Sequence, residues 1–307
     1  MPHTKNMTKA LYLTYLLVLF ITHQVPAQTI NPLRQKIQHI VSGKNATVGV
    51  YISGNNGKDT LSLHGGGHFP MQSVFKFHIA LVMLSEIDKG KFSLRQKIKI
   101  QQKDLLPGLY SPIRERYPKG TDLAISEILK YTVSQSDNVG CDLLLRLLGG
   151  PKAVEGYFMQ HNFKDISIKI NEELMQSNWD LQFQNWTTPK AANEVLSFFY
   201  YNSKRSLSVK SHDFIWKLMK QTSTGKDRLK GQLPQETVVA HKTGWSGTNR
   251  EGLTTAVNDI GIVFLPNGQH FFISVFITNS KEDLETNEKI IADITKMAWD
   301  HFTAKTK

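Results

Sequence analysis

The apolar pattern of this 307-residue chain changes its period twice, and that double switch limits the possible folds more than any other feature. Residues 46–53 alternate and are rich in β-branched and aromatic types. Residues 59–63 pair with them as a hairpin across the turn Gly54-Asn55-Asn56-Gly57, and 32–42 before it have helical spacing. From Ser73 onward the apolar runs are helical, at 74–84, 123–133, 139–148, 152–160, 189–201 and 212–220. Strand patterns return at 237–241, 253–265 and 270–278, and a helix over 283–302 closes the chain. Strands from both ends must therefore meet in one sheet. The pattern predicts an α+β fold: an α/β sandwich portion with an antiparallel sheet under terminal helices, about 28–68 and 222–307, with an all-helical portion, about 69–221, inserted between its halves.

Lys5 and Lys9, the apolar run 10–22 and Val25-Pro26-Ala27 have the order of a secretory leader, with cleavage expected after Ala27. The run is shorter than the roughly 20 apolar residues that span a membrane, so residues 28–307 are expected in the periplasm as one unanchored catalytic domain. With 40% hydrophobic and 21% charged residues the composition excludes a disordered chain. The net charge is +11, or +9 once the leader's two lysines leave with no acid. These lysines are interspersed with Glu and Asp and accompany no nucleic-acid module, so they read as solvated surface and no nucleic-acid partner is expected. The single cysteine, Cys141, lies in the apolar run 139–148 and reads as a buried side chain. The 11 histidines form no His-Glu-x-x-His or close ligand pair, and neither metal nor cofactor is expected.

Ser73-Val74-Phe75-Lys76 opens an almost wholly apolar run, the mark of a helix buried on all sides. Three residues apart, hydroxyl and amine share one face, where the amine can take or relay the hydroxyl proton. At the helix start the Ser73 N–H is free to stabilise an oxyanion. Alone the motif is weak, since Ser-x-x-Lys occurs on the order of once by chance in such a chain. A second copy at Ser223-Thr224-Gly225-Lys226, in a polar stretch, reads as loop. Ser136-Asp137-Asn138 between two helical runs reads by itself as an N-cap and turn. Lys242-Thr243-Gly244, at the end of the strand 237–241, reads by itself as a strand-to-turn transition, and on an edge strand it would flank a pocket. The segment 170–189 fits neither period and is too long for an idle connection; Trp179, Phe183 and Trp186 are expected to pin it down as an ordered functional loop.

In this order the three motifs are the signature of class A β-lactamases and penicillin-binding proteins. The chain resembles class A β-lactamases, in the PER-type and VEB-type extended-spectrum branch, from about Pro32 to the last helix. The resemblance implies the β-lactamase/penicillin-binding-protein transpeptidase-like fold, with the active site in the groove between its two portions. It implies Ser73 as nucleophile with Lys76 as proton partner, Ser136 relaying a proton to the lactam nitrogen, and Asn138 binding the substrate's side-chain amide. Lys242 and Thr243 would contact the substrate carboxylate, and the N–H groups of Ser73 and Trp245 would form the oxyanion hole. Asn171-Glu172-Glu173-Leu174-Met175-Gln176 resembles the family's omega loop, which makes Glu172, 36 residues after Ser136, the base for the deacylating water, with Glu173 as the alternative. Gln176 would lie beside that water in place of the usual Asn. Tyr110 would wall the cleft entrance, and Arg228 would bind the carboxylate, with Arg250 as the alternative. Whether Lys76 or Glu172 deprotonates Ser73 stays open.

Ile170 and Asn185 stand where many class A enzymes carry an Arg and an Asp that bridge the loop base, so that ion pair is excluded. Trp245 is larger than the residue usual after Lys-Thr-Gly. The PER-type branch shares the unbridged loop, so the resemblance implies a wider cleft and a preference for cephalosporins. The expected partners are a small-molecule β-lactam and a catalytic water, on a monomer. Three other readings compete. A penicillin-binding enzyme with slow release shares the motifs but lacks the loop carboxylate. An α/β-hydrolase esterase is prompted by His64-Gly65-Gly66-Gly67, yet the chain has no Gly-x-Ser-x-Gly. An exported binding protein would fail to react covalently with any β-lactam.

Overall fold

The computed structural model describes residues 30–304. Helix α1 (Asn31–Val41) leads into the hairpin β1 (Thr47–Gly54) and β2 (Asp59–Leu63), and the short β3 (Phe69–Pro70) enters the helical part. There follow α2 (Phe75–Asp88), β4 (Lys97–Ile100), α3 (Pro112–Arg116), β5 (Thr121–Ala124), α4 (Ile125–Ser134), α5 (Asn138–Leu148) and α6 (Pro151–Gln160). β6 (Ile166–Ser167) leads into the long loop, which contains α7 (Glu172–Ser177) and β7 (Trp186–Thr187), before α8 (Pro189–Tyr201) and α9 (Val209–Lys220). The chain ends on β8 (Val239–Trp245), β9 (Val257–Phe264), β10 (His270–Thr278) and α10 (Leu284–Ala304).

The five-stranded sheet has the order β2-β1-β10-β9-β8 and is antiparallel throughout, so strands from the two chain ends interleave. Central β10 is apolar on both faces because both are covered. Phe271, Ile273, Val275 and Ile277 join Leu33 and Ile37 of α1 and Ile291, Ile294 and Phe302 of α10 in one core, whereas Phe272 and Phe276 join the helical core on the other side. Helix α2 runs through that second core with every residue from Phe75 to Ser85 buried, as its all-round apolar sequence requires. Strand β8 lies at the sheet edge beside the helical half, which sets its last residues against the cleft.

Three expectations need correction. Residues 121–124 are a strand paired with Lys97–Ile100, and the helix expected from 123 starts at Ile125. Four alternating residues are too few to outweigh an adjoining helical pattern, and the pairing with residues some 25 positions earlier decides the matter. Strand β8 continues through Lys242-Thr243-Gly244 to Trp245, because β9 offers Ile260, Asp259, Asn258 and Val257 as partners, so the triplet is strand and not a turn. The loop 170–189 contains α7 and a 3₁₀ turn at Trp179–Gln184; Trp186 pins it, stacked on His68 with ring centroids 3.5 Å apart and paired in β7, whereas Phe183 is exposed and pins nothing. The leader over residues 1–27 lies outside the described residues. Among the described residues no helix is long and apolar enough to cross a membrane.

Candidate active site

Ser73 sits in a 3₁₀ turn, Gln72–Val74, that runs directly into α2. Lys76 comes one turn later on the same face, and its fully buried ammonium donates to Ser73 Oγ at 2.7 Å. It also donates to Asn138 Oδ1 at 2.6 Å and to the Ser136 carbonyl at 2.9 Å, and it lies 2.8 Å from Glu172 Oε1. An ammonium has three protons for these four oxygens, so a small movement changes which oxygen receives one. The residue before this turn rests on the sheet edge. A Cβ at Gly244 would come within 2.5 Å of the Met71 carbonyl, which is why the third residue of Lys-Thr-Gly has to be glycine. Asn258, opposite Gly244 on β9, donates to the Pro70 and Met71 carbonyls at 2.8 and 3.2 Å.

Ser136-Asp137-Asn138 combines a helix cap with two side chains that face the cleft. Asp137 is the N-cap of α5, accepting from Gly140 N–H at 2.7 Å, and it also ties down Ser111 Oγ and the Ile113 N–H. Ser136 just before it takes φ 60°, a strained region for a residue with a side chain. Its hydroxyl accepts from Lys242 Nζ at 2.9 Å. Complete burial, with Lys76 close by, holds the Lys242 amine well below its usual pKa. Asn138 is fixed by its N–H to the Tyr110 carbonyl at 3.0 Å.

Glu172 opens α7, is 2% exposed, and faces Lys76. Its backbone is held by Asp142 of α5, whose carboxylate accepts from the N–H groups of Glu172 at 2.8 Å and Glu173 at 3.0 Å and from Asn171 Nδ2 at 3.1 Å. Burial raises the Asp142 carboxyl to about 7 against the lowering effect of those N–H donors. At the loop base Asn185 replaces the missing ion pair with neutral bonds. Its Oδ1 accepts from Lys169 and Ile170 N–H at 2.8 and 3.1 Å, and its Nδ2 donates to the Ile170 carbonyl at 2.9 Å. Glu173 is exposed and borders a different cavity behind the loop, away from Ser73.

The cleft has a volume of about 550 Å³. Ser73, Ser136, Asn138, Glu172, Gln176, Thr243, Trp245, Tyr110 and Arg228 all line it, while Lys76 and Lys242 reach it from beneath through Ser73 and Ser136. Tyr110 and Trp245, 54% and 50% exposed, form its rim. Arg228 is buried, and most of its guanidinium is already bonded to the protein. Nε donates to Glu288 at 3.0 Å, and Nη1 donates to the carbonyls of Gly244 and Asn258 at 3.0 and 3.1 Å, which leaves Nη2 for a ligand. Arg250 is exposed and does not line the cleft. The second Ser-x-x-Lys is loop as read, yet Thr224 within it lines the cleft with Oγ1 2.6 Å from Thr243 Oγ1. Thr224, Asp142 and Glu288 carry no local sequence signal, because only long-range packing brings them to the site. Cys141 is buried. Among the described residues no group of three or more His, Cys, Asp or Glu side chains could hold a metal ion.

The model of the beta-lactamase enzyme family matches residues 32–302. Beta-lactamase VEB-1 of Pseudomonas aeruginosa is 53% identical over 300 residues, covering 98% of this chain and 100% of that protein. Extended-spectrum beta-lactamase PER-1 of the same organism is 41% identical over 288 residues, 93% of this chain and 92% of that one. The crystal structure of TLA-1 extended-spectrum beta-lactamase superposes with a TM-score of 0.87 at 46% identity, over 90% of this chain and 99% of that one. The antiparallel sheet with its inserted helices is thus the fold that class A β-lactamases share with penicillin-binding proteins, and the chain belongs to the beta-lactamase enzyme family, among the class A enzymes related to VEB-1 and PER-1.

Proposed function

We propose that in this β-lactam-hydrolysing enzyme Ser73 is the nucleophile and Glu172 the base that releases the acyl group. The observation that carries the reading is the single buried ammonium of Lys76, 2.7 Å from Ser73 Oγ and 2.8 Å from Glu172 Oε1. In acylation Ser73 Oγ attacks the lactam carbonyl carbon and its proton passes to the Lys76–Glu172 pair. The oxyanion faces the N–H groups of Ser73 and Trp245. The C–N bond then breaks, the nitrogen takes the Ser136 hydroxyl proton, with Lys242 Nζ at 2.9 Å beside that hydroxyl, and the Lys76–Glu172 pair passes the proton it took from Ser73 on to Ser136 Oγ, which leaves Glu172 a carboxylate again. In deacylation Glu172 takes a proton from water, hydroxide attacks the ester carbonyl, and Ser73 Oγ leaves with a proton returned to it. Asn138 would bind the substrate's side-chain amide, with Gln176 beside the water. Thr243, Lys242 and Arg228 Nη2 would hold its carboxylate.

The broad aromatic rim of Tyr110 and Trp245 supports a cephalosporin preference. The same proposal includes residues 28–307 acting as one monomeric periplasmic domain after cleavage behind Ala27. Glutamine keeps the shape of Glu172 but cannot accept the proton. Glu172→Gln is therefore expected to give a burst of about one equivalent with a good cephalosporin and then stall, with release slowed roughly 10²- to 10⁴-fold and the acyl-enzyme visible by mass. Turnover at the wild-type rate would exclude Glu172. A wild-type protein that itself stalls would point to penicillin-binding behaviour.

A further inference from the structure

The long loop meets the nucleophile region through Glu172 on Lys76, through the Asn185 carbonyl, which accepts from Met71 N–H at 2.8 Å, and through Gln182. Gln182 lies in the 3₁₀ turn at the far end of the loop and is 3% exposed. A buried amide of this kind is costly unless its polar atoms are paired, and here they are. Gln182 Oε1 accepts from Gln72 Nε2 at 2.7 Å and from Thr255 Oγ1 at 2.5 Å, and Gln182 Nε2 donates to the Trp179 carbonyl at 2.7 Å. Both lone pairs of the oxygen are used, and the bond to Trp179 fixes which end of the amide faces Gln72.

Gln72 is the residue immediately before Ser73, and its φ of 47° lies in the left-handed region that a side-chain-bearing residue rarely occupies. That conformation directs the following backbone, and with it the Ser73 N–H and Oγ, toward the cleft. We propose that Gln182 is a positioning residue for the nucleophile: by gripping the Gln72 side chain against Thr255 it holds the strained turn in the geometry that aims Ser73 and its oxyanion-binding N–H. The loop thus supplies the base for one half-reaction and sets the nucleophile for both. The inference rests on the assignment of Ser73 as nucleophile.

Its signature differs from loss of the base, because the oxyanion hole serves acylation and release alike. Gln72→Leu and Gln182→Leu are each expected to slow both the acylation rate constant, read by stopped flow with a slowly released β-lactam, and release from the isolated acyl-enzyme. The expected loss is about 10- to 100-fold in each. The double variant should be no slower than the worse single variant, since both remove one bridge. Thr255→Val, which deletes one hydroxyl, covers the case in which a leucine variant fails to fold; it should show a smaller loss of the same kind, and Thr255→Ser should restore wild-type rates. Wild-type rates in folded Gln182→Leu or Thr255→Val, with the adduct still on Ser73, would overturn the inference. So would additive losses in the double variant. If the wild-type adduct maps to another residue, the nucleophile assignment itself is wrong, and the inference falls with it.

Discussion

Lys76 stands on a helix buried on every side and Ser73 on the turn that enters it, whereas Glu172 stands on a loop tied to the protein largely through side-chain bonds to backbone groups. Helix α2 is held by dense apolar packing, which is insensitive to any one polar atom and strong in sum. The loop depends on a few amides and carboxylates, chiefly Asp142, Asn185 and Gln182, each replaceable by a single substitution. The contrast teaches that the two walls of the cleft are unequally protected, the helix by packing and the loop by single bonds. Helix α2 survives surface change, while Glu172 can be displaced without disturbing the core, and the turn that presents Ser73 is itself tied to the loop by the Gln72–Gln182 bond.

The largest effect should come from the helix itself. Ser73→Ala is expected to lose covalent acylation entirely while remaining folded, since the side chain adds nothing to the core packing of α2. Mass spectrometry after mixing with a slowly released β-lactam checks this, and an adduct on the variant, or on Ser223 of the wild type, would break the assignment.

The same helix contains an acid-sensitive group. Burial lowers the His78 pKa from 6.5 to about 4, so the fold keeps the ring neutral while the unfolded chain takes up a proton below 6.5. Its contribution is complete above 6.5 and declines as pH falls toward 4, by about 3 kcal/mol at pH 4. His78→Leu removes this dependence. Denaturant unfolding at pH 7 and pH 4 should show the difference between variant and wild type moving toward the variant by about that amount, and a pH-independent difference would refute it. On the loop side Asp142 has the opposite sign. Its carboxyl is raised to about 7, so the fold favours its protonated form, and its contribution to stability rises as pH falls below 7.

A smaller effect is expected at the loop base. Asn185→Ala strips partners from Lys169 N–H, Ile170 N–H and the Ile170 carbonyl, and should cost about 2 kcal/mol of stability. Release of the acyl group should slow more than its formation, because Glu172 shifts and Ser73 does not. Equal slowing of both steps would show that the two walls are not mechanically distinct. Smallest is Arg228→Ala. With Nε and Nη1 already bonded to the protein, only Nη2 is lost to the substrate. A fall of about tenfold in kcat/KM, roughly 1.4 kcal/mol, is expected, mostly through KM. The same loss from Arg250→Ala and none from Arg228→Ala would reassign the arginine.

The chain by itself determined whatever lies within one turn of a regular element. Ser73 and Lys76 meet because three residues on a helix make one face, the Asp137 cap follows from residue type at a helix start, and the sheet follows from strand patterns at both chain ends, alternating in the first hairpin and continuously apolar in the last strands. The family signature added the roles of residues in distant motifs. Only the tertiary structure decided that Lys-Thr-Gly continues a strand, that β4 and β5 pair, that Arg228 is already occupied, and that Gln182 reaches Gln72. The last contact joins residues 110 positions apart, and Lys242 and Ser136 are 106 apart. Spacing along the chain sets geometry only where the backbone repeats; beyond that, which side chains touch depends on how whole elements pack, and packing is the sum of contacts that no local window contains.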